Sequence, residues 1–184
     1  MDHGDHVDLL RDGVPRAKGT WADLGAGAGA FTLALADLLP AGSTIHAIDR
    51  DAAALRDLDA AFARFARGRE LPRVATARAD FTRDLGLAAL DGVVMANSLH
   101  FVRDKAPVLA RVHELLRPGG TLLLVEYDAD QGNPWVPYPL SFATWRRVAM
   151  DAGFSEPRLL ATKPSRFLRQ IFSAASTRRD TTAP

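Results

Sequence analysis

The residues best suited to chemistry lie near the N-terminus, where a carboxylate precedes a loop with glycine at alternate positions. Asp23 stands two residues before Gly25, and Gly27 and Gly29 follow before an amphipathic segment. Glycine has no Cβ, so its backbone can approach a ligand closely and adopt positive φ at low cost. A helix that begins after such a loop directs unpaired N–H groups and its positive dipole end at the ligand. The Asp23 carboxylate favours a ligand that carries a cationic group as well as an anionic one.

The same loop also satisfies the fingerprint of dinucleotide-binding proteins. Gly25, Gly27 and Ala30 have the required spacing, and Asp49 follows at about the expected 20 residues. A turn between a strand and a helix that binds no ligand is the third interpretation. The loop alone does not distinguish among the three, so other residues must decide.

The composition excludes several classes of function. The 184 residues, 47% hydrophobic and 24% charged, suit one globular domain, and the net charge of +1 gives no general attraction to nucleic acid or anionic membranes. The absence of cysteine excludes disulfides, thiolate metal sites and cysteine nucleophiles. No apolar run is long enough to span a bilayer, and we expect no signal peptide, because the first residues are acidic and lack an apolar segment. We therefore expect a cytoplasmic protein with neither a membrane segment nor a metal site.

Hydrophobic periodicity predicts strands that alternate with helices. The strands are predicted at residues 20–24, 43–49, 73–80, 93–97, 121–127, 158–162 and 167–172. The helices are predicted at residues 5–12, 51–67, 106–116 and 142–152, with one more between the glycine loop and Pro40. Residues 128–140 contain three prolines and form a loop. This alternation predicts an α/β protein with a doubly wound, mostly parallel sheet that binds ligands at the carboxyl ends of its strands.

Several of these features together resemble the class I S-adenosylmethionine-dependent methyltransferases. They are the loop with Asp23, the acidic Asp49 at the end of the second strand, and the Arg-Pro-Gly-Gly turn at residues 117–120. The resemblance implies a single Rossmann-like domain over residues 20–175, with an antiparallel last strand at 167–172 inserted in the sheet. Residues 1–19 would form an N-terminal helical extension, and residues 176–184 a flexible tail.

The resemblance also implies the cofactor S-adenosylmethionine, with S-adenosylhomocysteine as product. In this family an acidic residue at the position of Asp49 holds the ribose hydroxyls. An acid at the position of Asp80 contacts the adenine amino group, and Phe81 would pack on the ring. The methionine end would lie beside the residues that follow the fourth strand. The implied cofactor-binding residues are Asp23, Gly25, Ala26, Gly27, Gly29, Asp49, Arg50, Asp80, Phe81, Asn97 and Ser98.

Methyl transfer from a sulfonium needs alignment, and it needs a general base only where the acceptor is neutral. His100, after the fourth strand, and Glu126, on an otherwise apolar strand, are the candidate catalytic residues; packing or polar pairing is the alternative for each. Residues 97–100 do not have the Asn/Asp-Pro-Pro-aromatic motif that is typical of enzymes that methylate the amines of nucleic-acid bases. The lack of this motif favours a small-molecule acceptor. Trp135 and Tyr138, in the proline-rich loop, are candidate substrate contacts.

Other functions stay open. An RNA or protein acceptor is favoured weakly by the arginines of the C-terminal third, and we expect most of these to be solvated. A non-catalytic cofactor-binding module and, less favoured, a nicotinamide-dependent oxidoreductase also remain. Because the N-terminal extension is too short for a cap domain, a second subunit in a homodimer is one way to complete the acceptor site. The arginines are Arg146, Arg147, Arg158, Arg166, Arg169, Arg178 and Arg179.

Overall fold

The computed structural model describes residues 1–165 and 167–180, and its strands form one sheet. The strands are β1 (Thr20–Leu24), β2 (Thr44–Asp49), β3 (Arg73–Arg78), β4 (Leu90–Ala96), β5 (Leu116–Tyr127), β6 (Arg158–Pro164) and β7 (Gln170–Thr177). The helices are α1 (His3–Arg11), α2 (Ala30–Leu38), α3 (Ala52–Phe65), α4 (Ala106–Leu115) and α5 (Phe142–Asp151), with a 3₁₀ turn at Leu99–Phe101. No helix among the described residues is both long and apolar enough to cross a membrane.

The strand order is β3-β2-β1-β4-β5-β7-β6, with β1 to β5 parallel to one another and β7 antiparallel to both its neighbours. One face of the sheet packs on α4 and α5, and the other on α1, α2 and α3. The predicted doubly wound, mostly parallel sheet with an antiparallel last strand is therefore confirmed. From β1 to β3 the successive strands are added towards one edge of the sheet, and from β4 onward they are added towards the other edge. A crevice opens between β1 and β4, where this order switches.

The antiparallel strand lies further along the chain than the predicted residues 167–172. β7 begins at Gln170 and runs to Thr177, and Arg178 then forms a bridge with Phe154. Its second half consists of small residues, which are weak strand formers, so the sequence pattern did not mark it. The strand thus extends into the predicted tail at residues 176–184, of which residues 181–184 lie outside the described part of the chain.

The predicted turn at residues 117–120 is a local irregularity inside a strand. β5 starts at Leu116, directly after α4, and pairs with Leu90 before its register shifts to pair Thr121 with Gly92. Gly119 has a φ of +71° within this segment. The Arg-Pro-Gly-Gly sequence therefore ends the helix as predicted, but it forms a bulge and not a free turn.

We expect Gly92→Ala to destabilise the fold by about 1–3 kcal/mol, the usual cost of forcing extra volume into a packed core. Gly92 pairs with Trp21 across β4 and β1, and a Cβ on Gly92 would lie 2.3 Å from the buried indole ring. Urea unfolding of the purified variant measures the loss. Because Trp21→Leu makes room for that Cβ, the double variant should lose less than the sum of the single variants. Simple additivity would show that the close approach is not the cause.

Candidate functional site

A cleft of about 710 Å³ opens at the carboxyl ends of β1, β2 and β4. From the glycine loop and the end of β2, its lining includes Gly25, Gly27, Asp49 and Arg50. From the residues after β3 and β4, it includes Asp80, Phe81, Asn97 and Ser98. The structure thus gathers in one cleft eight of the eleven residues that the resemblance implies for cofactor binding.

Asp49 ties the glycine loop to β2. Its Oδ2 accepts a hydrogen bond from the Gly27 N–H at 2.8 Å, and its Oδ1 accepts one from the Asp51 N–H at 2.8 Å. Each carboxylate oxygen has more than one lone pair, so both remain able to accept from a ligand hydroxyl. This side chain therefore fixes the loop and offers two adjacent acceptors, as the ribose of the implied cofactor requires.

The bottom of the cleft is a close contact between the ends of β1 and β4. Gly25 has a φ of +83°, and a Cβ there would lie 2.5 Å from the Cβ of Ser98. The Ser98 hydroxyl donates to the Leu24 carbonyl at 2.7 Å. Only glycine satisfies both the backbone conformation and the contact, which explains the first glycine of the loop.

Asn97 has two features that indicate a ligand-binding position in the cleft. Its φ is +52°, uncommon for a residue with a side chain, and its backbone N–H donates to the Val125 carbonyl at 2.9 Å. The side-chain Oδ1 is buried without a hydrogen-bond partner among the described residues. A buried acceptor without a partner is costly, and a ligand ammonium would satisfy it. The residues present therefore fit the amino-acid end of S-adenosylmethionine.

Asp80 and Phe81 line the cleft after β3, and the Phe81 ring lies near Gly25, where a Cβ would be 3.5 Å from it. The Asp80 Oδ1 accepts hydrogen bonds from the Thr82 N–H at 2.9 Å and its hydroxyl at 2.7 Å, which hold the pKa of Asp80 below its usual value. This carboxylate therefore stays ionised as an acceptor beside the half-buried Phe81 ring. Seven further residues line the cleft that were not predicted from the sequence, each within five positions of a predicted one. They are Asp51, Ala54, Ala79, Thr82, Phe101, Val102 and Arg103.

Asp23, Ala26 and Gly29 are not among the residues that line the cleft. Asp23 is only 1% exposed, and its Oδ2 accepts a hydrogen bond from the Thr32 hydroxyl at 2.6 Å, which joins β1 to α2. Ala26 packs with Leu58, which also lies against Gly29. These three residues support the loop on the side that faces α2 and α3, and their direct contact with a ligand stays a prediction.

Asp23 should give the folded protein a distinctive pH dependence. Burial, with a smaller contribution from the Asp49 charge, raises the pKa of Asp23 to about 6, although the Thr32 hydrogen bond opposes the shift. The folded state therefore holds this proton more tightly than the unfolded state, and the contribution of Asp23 to stability falls as pH rises from about 4 to about 6. Asp23→Asn removes this loss and still accepts from Thr32.

We expect the stability of Asp23→Asn relative to wild type to increase by about 2 kcal/mol between about pH 4.5 and about pH 7.5. Urea unfolding of both proteins at the two pH values measures it, and the comparison cancels the titration of the other carboxylates. A difference that does not change with pH would show that Asp23 ionises normally.

His100 and Glu126 form a buried pair beside the cleft. The His100 Nδ1 lies 2.7 Å from the Glu126 Oε1, and the His100 backbone N–H donates to Oε2 at 3.1 Å. Oε1 also accepts from the Tyr127 N–H at 3.0 Å. The side chains are 3% and 0% exposed. Because the carboxylate occupies Nδ1, the other ring nitrogen, Nε2, is the one available to an acceptor, an arrangement typical of a general base held by an acid.

The loop that contains Trp135 and Tyr138 is attached to this pair. The Tyr138 N–H donates to the His100 carbonyl at 2.9 Å, and the Lys105 ammonium donates to the Tyr138 carbonyl at 2.8 Å. The Asn133 Oδ1 accepts from the N–H groups of Trp135 and Val136. The two predicted substrate contacts thus lie on a tightly bonded loop next to His100, although neither lines the cofactor cleft.

Several C-terminal arginines bind within the chain itself. Arg146 pairs with Glu156, and Arg158 donates to the Asp12 carbonyl. Arg178 and Arg179 donate to the carbonyls of residues 116 and 150. Arg166 lies outside the described residues. These contacts leave fewer arginines for the RNA-binding surface that the sequence left open.

Comparison with known proteins identifies the family. A family model described as "Methyltransferase domain" matches residues 22–122. An uncharacterized methyltransferase of Mycobacterium tuberculosis is 33% identical over 124 residues, which cover 66% of this chain and 58% of that protein. A highly reducing polyketide synthase of Emericella nidulans is 36% identical over 74 residues, or 35% of this chain and 3% of the synthase. The chain therefore spans less than two thirds of these relatives.

Solved structures show the same fold at lower identity. The 1,6-didemethyltoxoflavin-N1-methyltransferase of Burkholderia thailandensis, solved with 1,6-didemethyltoxoflavin and S-adenosylhomocysteine, has a TM-score of 0.73 and 21% identity over 97% of this chain and 78% of that chain. The YcgJ protein of Bacillus subtilis has a TM-score of 0.74 and 13% identity over 97% of this chain and 100% of that one. With the domain match, these findings show that the chain belongs to the S-adenosylmethionine-dependent methyltransferases.

Proposed function

We propose that this protein transfers the methyl group of S-adenosylmethionine to a small-molecule acceptor, with His100 as general base. The observation that carries the proposal is the buried His100–Glu126 pair: His100 stands between the cleft-lining residues Ser98 and Phe101 in the chain, although neither member of the pair lines the cleft itself. A cofactor-binding module without catalysis has no need of such a pair. Burying a histidine with a carboxylate costs desolvation free energy, and apolar residues at these two positions would avoid that cost.

The cleft residues would hold the cofactor in an extended form. Asn97 would accept a hydrogen bond from the ammonium at one end, Asp49 would accept from the ribose hydroxyls, and Asp80 would accept from the adenine amino group beside Phe81. When bound, S-adenosylmethionine supplies a methyl group already made electrophilic by its sulfonium. The protein then needs to exclude water and hold the acceptor in line with that methyl group.

His100 would remove the proton of the acceptor through Nε2. Glu126 would keep the imidazole in one orientation through its bond to Nδ1 and would stabilise the imidazolium that forms. A positioned base of this kind contributes about 10²- to 10⁴-fold in rate. The acceptor is therefore expected to carry a proton that its nucleophilic atom must lose, as on a hydroxyl, a ring nitrogen or an activated carbon.

A small-molecule acceptor is supported by the site and by one of the structural neighbours. Within the described residues, the cleft is lined by two arginines and three aspartates, a net formal charge of −1, whereas an RNA-binding surface is positively charged. The structure from Burkholderia thailandensis binds 1,6-didemethyltoxoflavin. Homodimer formation and a cytoplasmic location stay predictions.

The test is an incubation of the protein with methyl-labelled S-adenosylmethionine and with a cell extract separated into small molecules, RNA and protein. We expect the label in the small-molecule fraction. We also expect Glu126→Gln to lose the label and to retain binding of S-adenosylhomocysteine. Label in the RNA or protein fraction would show that the acceptor is a macromolecule and not a small molecule. Cofactor binding without any transfer would favour the non-catalytic module.

A further inference from the structure

We propose that a row of four aromatic rings beside the base is the acceptor subsite, and that it takes a planar aromatic molecule with an ionisable ring substituent. This inference rests on the proposed function. The Phe101 ring lies 4.3 Å from the His100 ring, His100 lies 5.6 Å from Tyr127, and Tyr127 lies 6.3 Å from Phe167, measured between centroids. Because Phe101 also lines the cofactor cleft, the row starts at the cofactor and passes over the base.

The row is exposed at its two ends, while its middle rings, His100 and Tyr127, are 3% and 8% exposed. Phe101 is 57% exposed and Phe167 is 61% exposed. Tyr138 at 41% and Trp135 at 70% stand on the loop that is bonded to His100. Six large hydrophobic side chains are exposed among the described residues, and these four come from segments that meet around His100. A concentration of this kind at one place marks a binding surface.

The backbone around the row is held in place before any ligand binds. Lys105 donates to the carbonyls of Val102 and Tyr138, which join the 3₁₀ turn to the loop. On the other side, the Phe167 N–H donates to the Ser165 hydroxyl at 3.1 Å, and Ser165 N–H donates to the Arg169 carbonyl at 2.8 Å. A backbone that is already held in this way loses little further freedom when a ligand binds to the rings that it carries.

The chemistry of the row selects the class of ligand. Ring pairs prefer edge-to-face or offset stacking, which favours a planar aromatic partner over an aliphatic one of equal size. Because His100 is only 3% exposed, it would meet such a ligand at the ligand's edge, where a ring hydroxyl or ring N–H would stand. The inferred acceptor is therefore a hydroxylated or N–H-containing aromatic ring system that reaches the site as a free small molecule.

The experiment uses the full chain saturated with S-adenosylhomocysteine and titrates it with 2-naphthol or with 2-decalol, its saturated counterpart. We expect 2-naphthol to bind about 10-fold more tightly than 2-decalol. Phe167→Leu, which keeps an apolar side chain but removes the ring, should weaken 2-naphthol binding about 3- to 10-fold, the range for loss of one aromatic contact. Leu159→Ala, at an exposed apolar position on β6 outside the row, is the matched control and should change the affinity for neither ligand.

The outcomes separate this inference from the function on which it rests. Equal binding of the two probes, or an unchanged affinity in Phe167→Leu, would overturn the aromatic subsite. Phe167 does not line the cofactor cleft, so S-adenosylhomocysteine should bind Phe167→Leu as it binds wild type. Failure of the wild-type protein to bind S-adenosylhomocysteine would instead contradict the proposed function itself.

Discussion

Asp49→Ala should weaken binding of S-adenosylhomocysteine about 100-fold. The carboxylate makes two charge-assisted hydrogen bonds, to the N–H groups of Gly27 and Asp51, and hydrogen bonds of this kind contribute about 1.5–3 kcal/mol each. Loss of the loop geometry and of the ribose acceptors would together remove about 3 kcal/mol of binding free energy, which is 100-fold. Because both hydrogen bonds lie within the chain, the variant should also lose some stability, so circular dichroism must show that it is folded before its affinity is measured.

Calorimetric titration measures this loss. Asp49→Asn should bind with intermediate affinity, because the amide keeps one accepting oxygen but points its NH₂ at a backbone N–H. The matched control is Asp59→Ala on α3, where the carboxylate accepts from the Thr76 hydroxyl outside the cleft. If Asp49→Ala binds within threefold of wild type, the glycine loop does not hold the ribose as proposed.

Glu126→Gln should lower kcat about 10²- to 10⁴-fold, the full contribution of a general base. Glu126 accepts hydrogen bonds from the His100 backbone, the His100 ring and the Tyr127 backbone, so glutamine must turn an NH₂ group towards a donor. Glutamine also cannot stabilise the imidazolium. Binding of S-adenosylhomocysteine should change little, because Glu126 does not line the cofactor cleft.

The rate is measured as formation of S-adenosylhomocysteine with any acceptor that the labelling experiment identifies. Because breaking a buried pair also destabilises a fold, circular dichroism must first show that the variant is folded. His100→Asn should lose the same activity. Glu156→Gln, which removes a surface partner of Arg146, is the control. An unchanged kcat in Glu126→Gln would show that the His100–Glu126 pair does not act as the general base.

The sequence predicted the elements whose signals are local. β1 was predicted with the observed bounds, and α4 was predicted to within one residue, because apolar periodicity and the following proline and glycines mark them. β7 was placed too early, since its serines and alanines acquire strand structure only by pairing with β5 and β6. The bulge at the start of β5 likewise depends on pairing with β4.

The candidate site shows the same division. His100 and Glu126 were each singled out, but their 2.7 Å contact depends on β4 and β5 being neighbours, which single residues do not encode. Phe101 and Phe167 were not predicted as substrate contacts, because the sequence does not distinguish an exposed phenylalanine from one in the core. The row that they form depends on segments that are distant along the chain.

The measurement that tests the account most directly is calorimetric titration of the wild-type protein with S-adenosylhomocysteine, beside NAD and NADP. We expect one S-adenosylhomocysteine bound per chain and no measurable heat from either nicotinamide cofactor, since the acceptors at Asp49, Asp80 and Asn97 match the adenosyl amino acid. Preference for NAD or NADP, or no binding of S-adenosylhomocysteine, would contradict it and return the glycine loop to the dinucleotide interpretation.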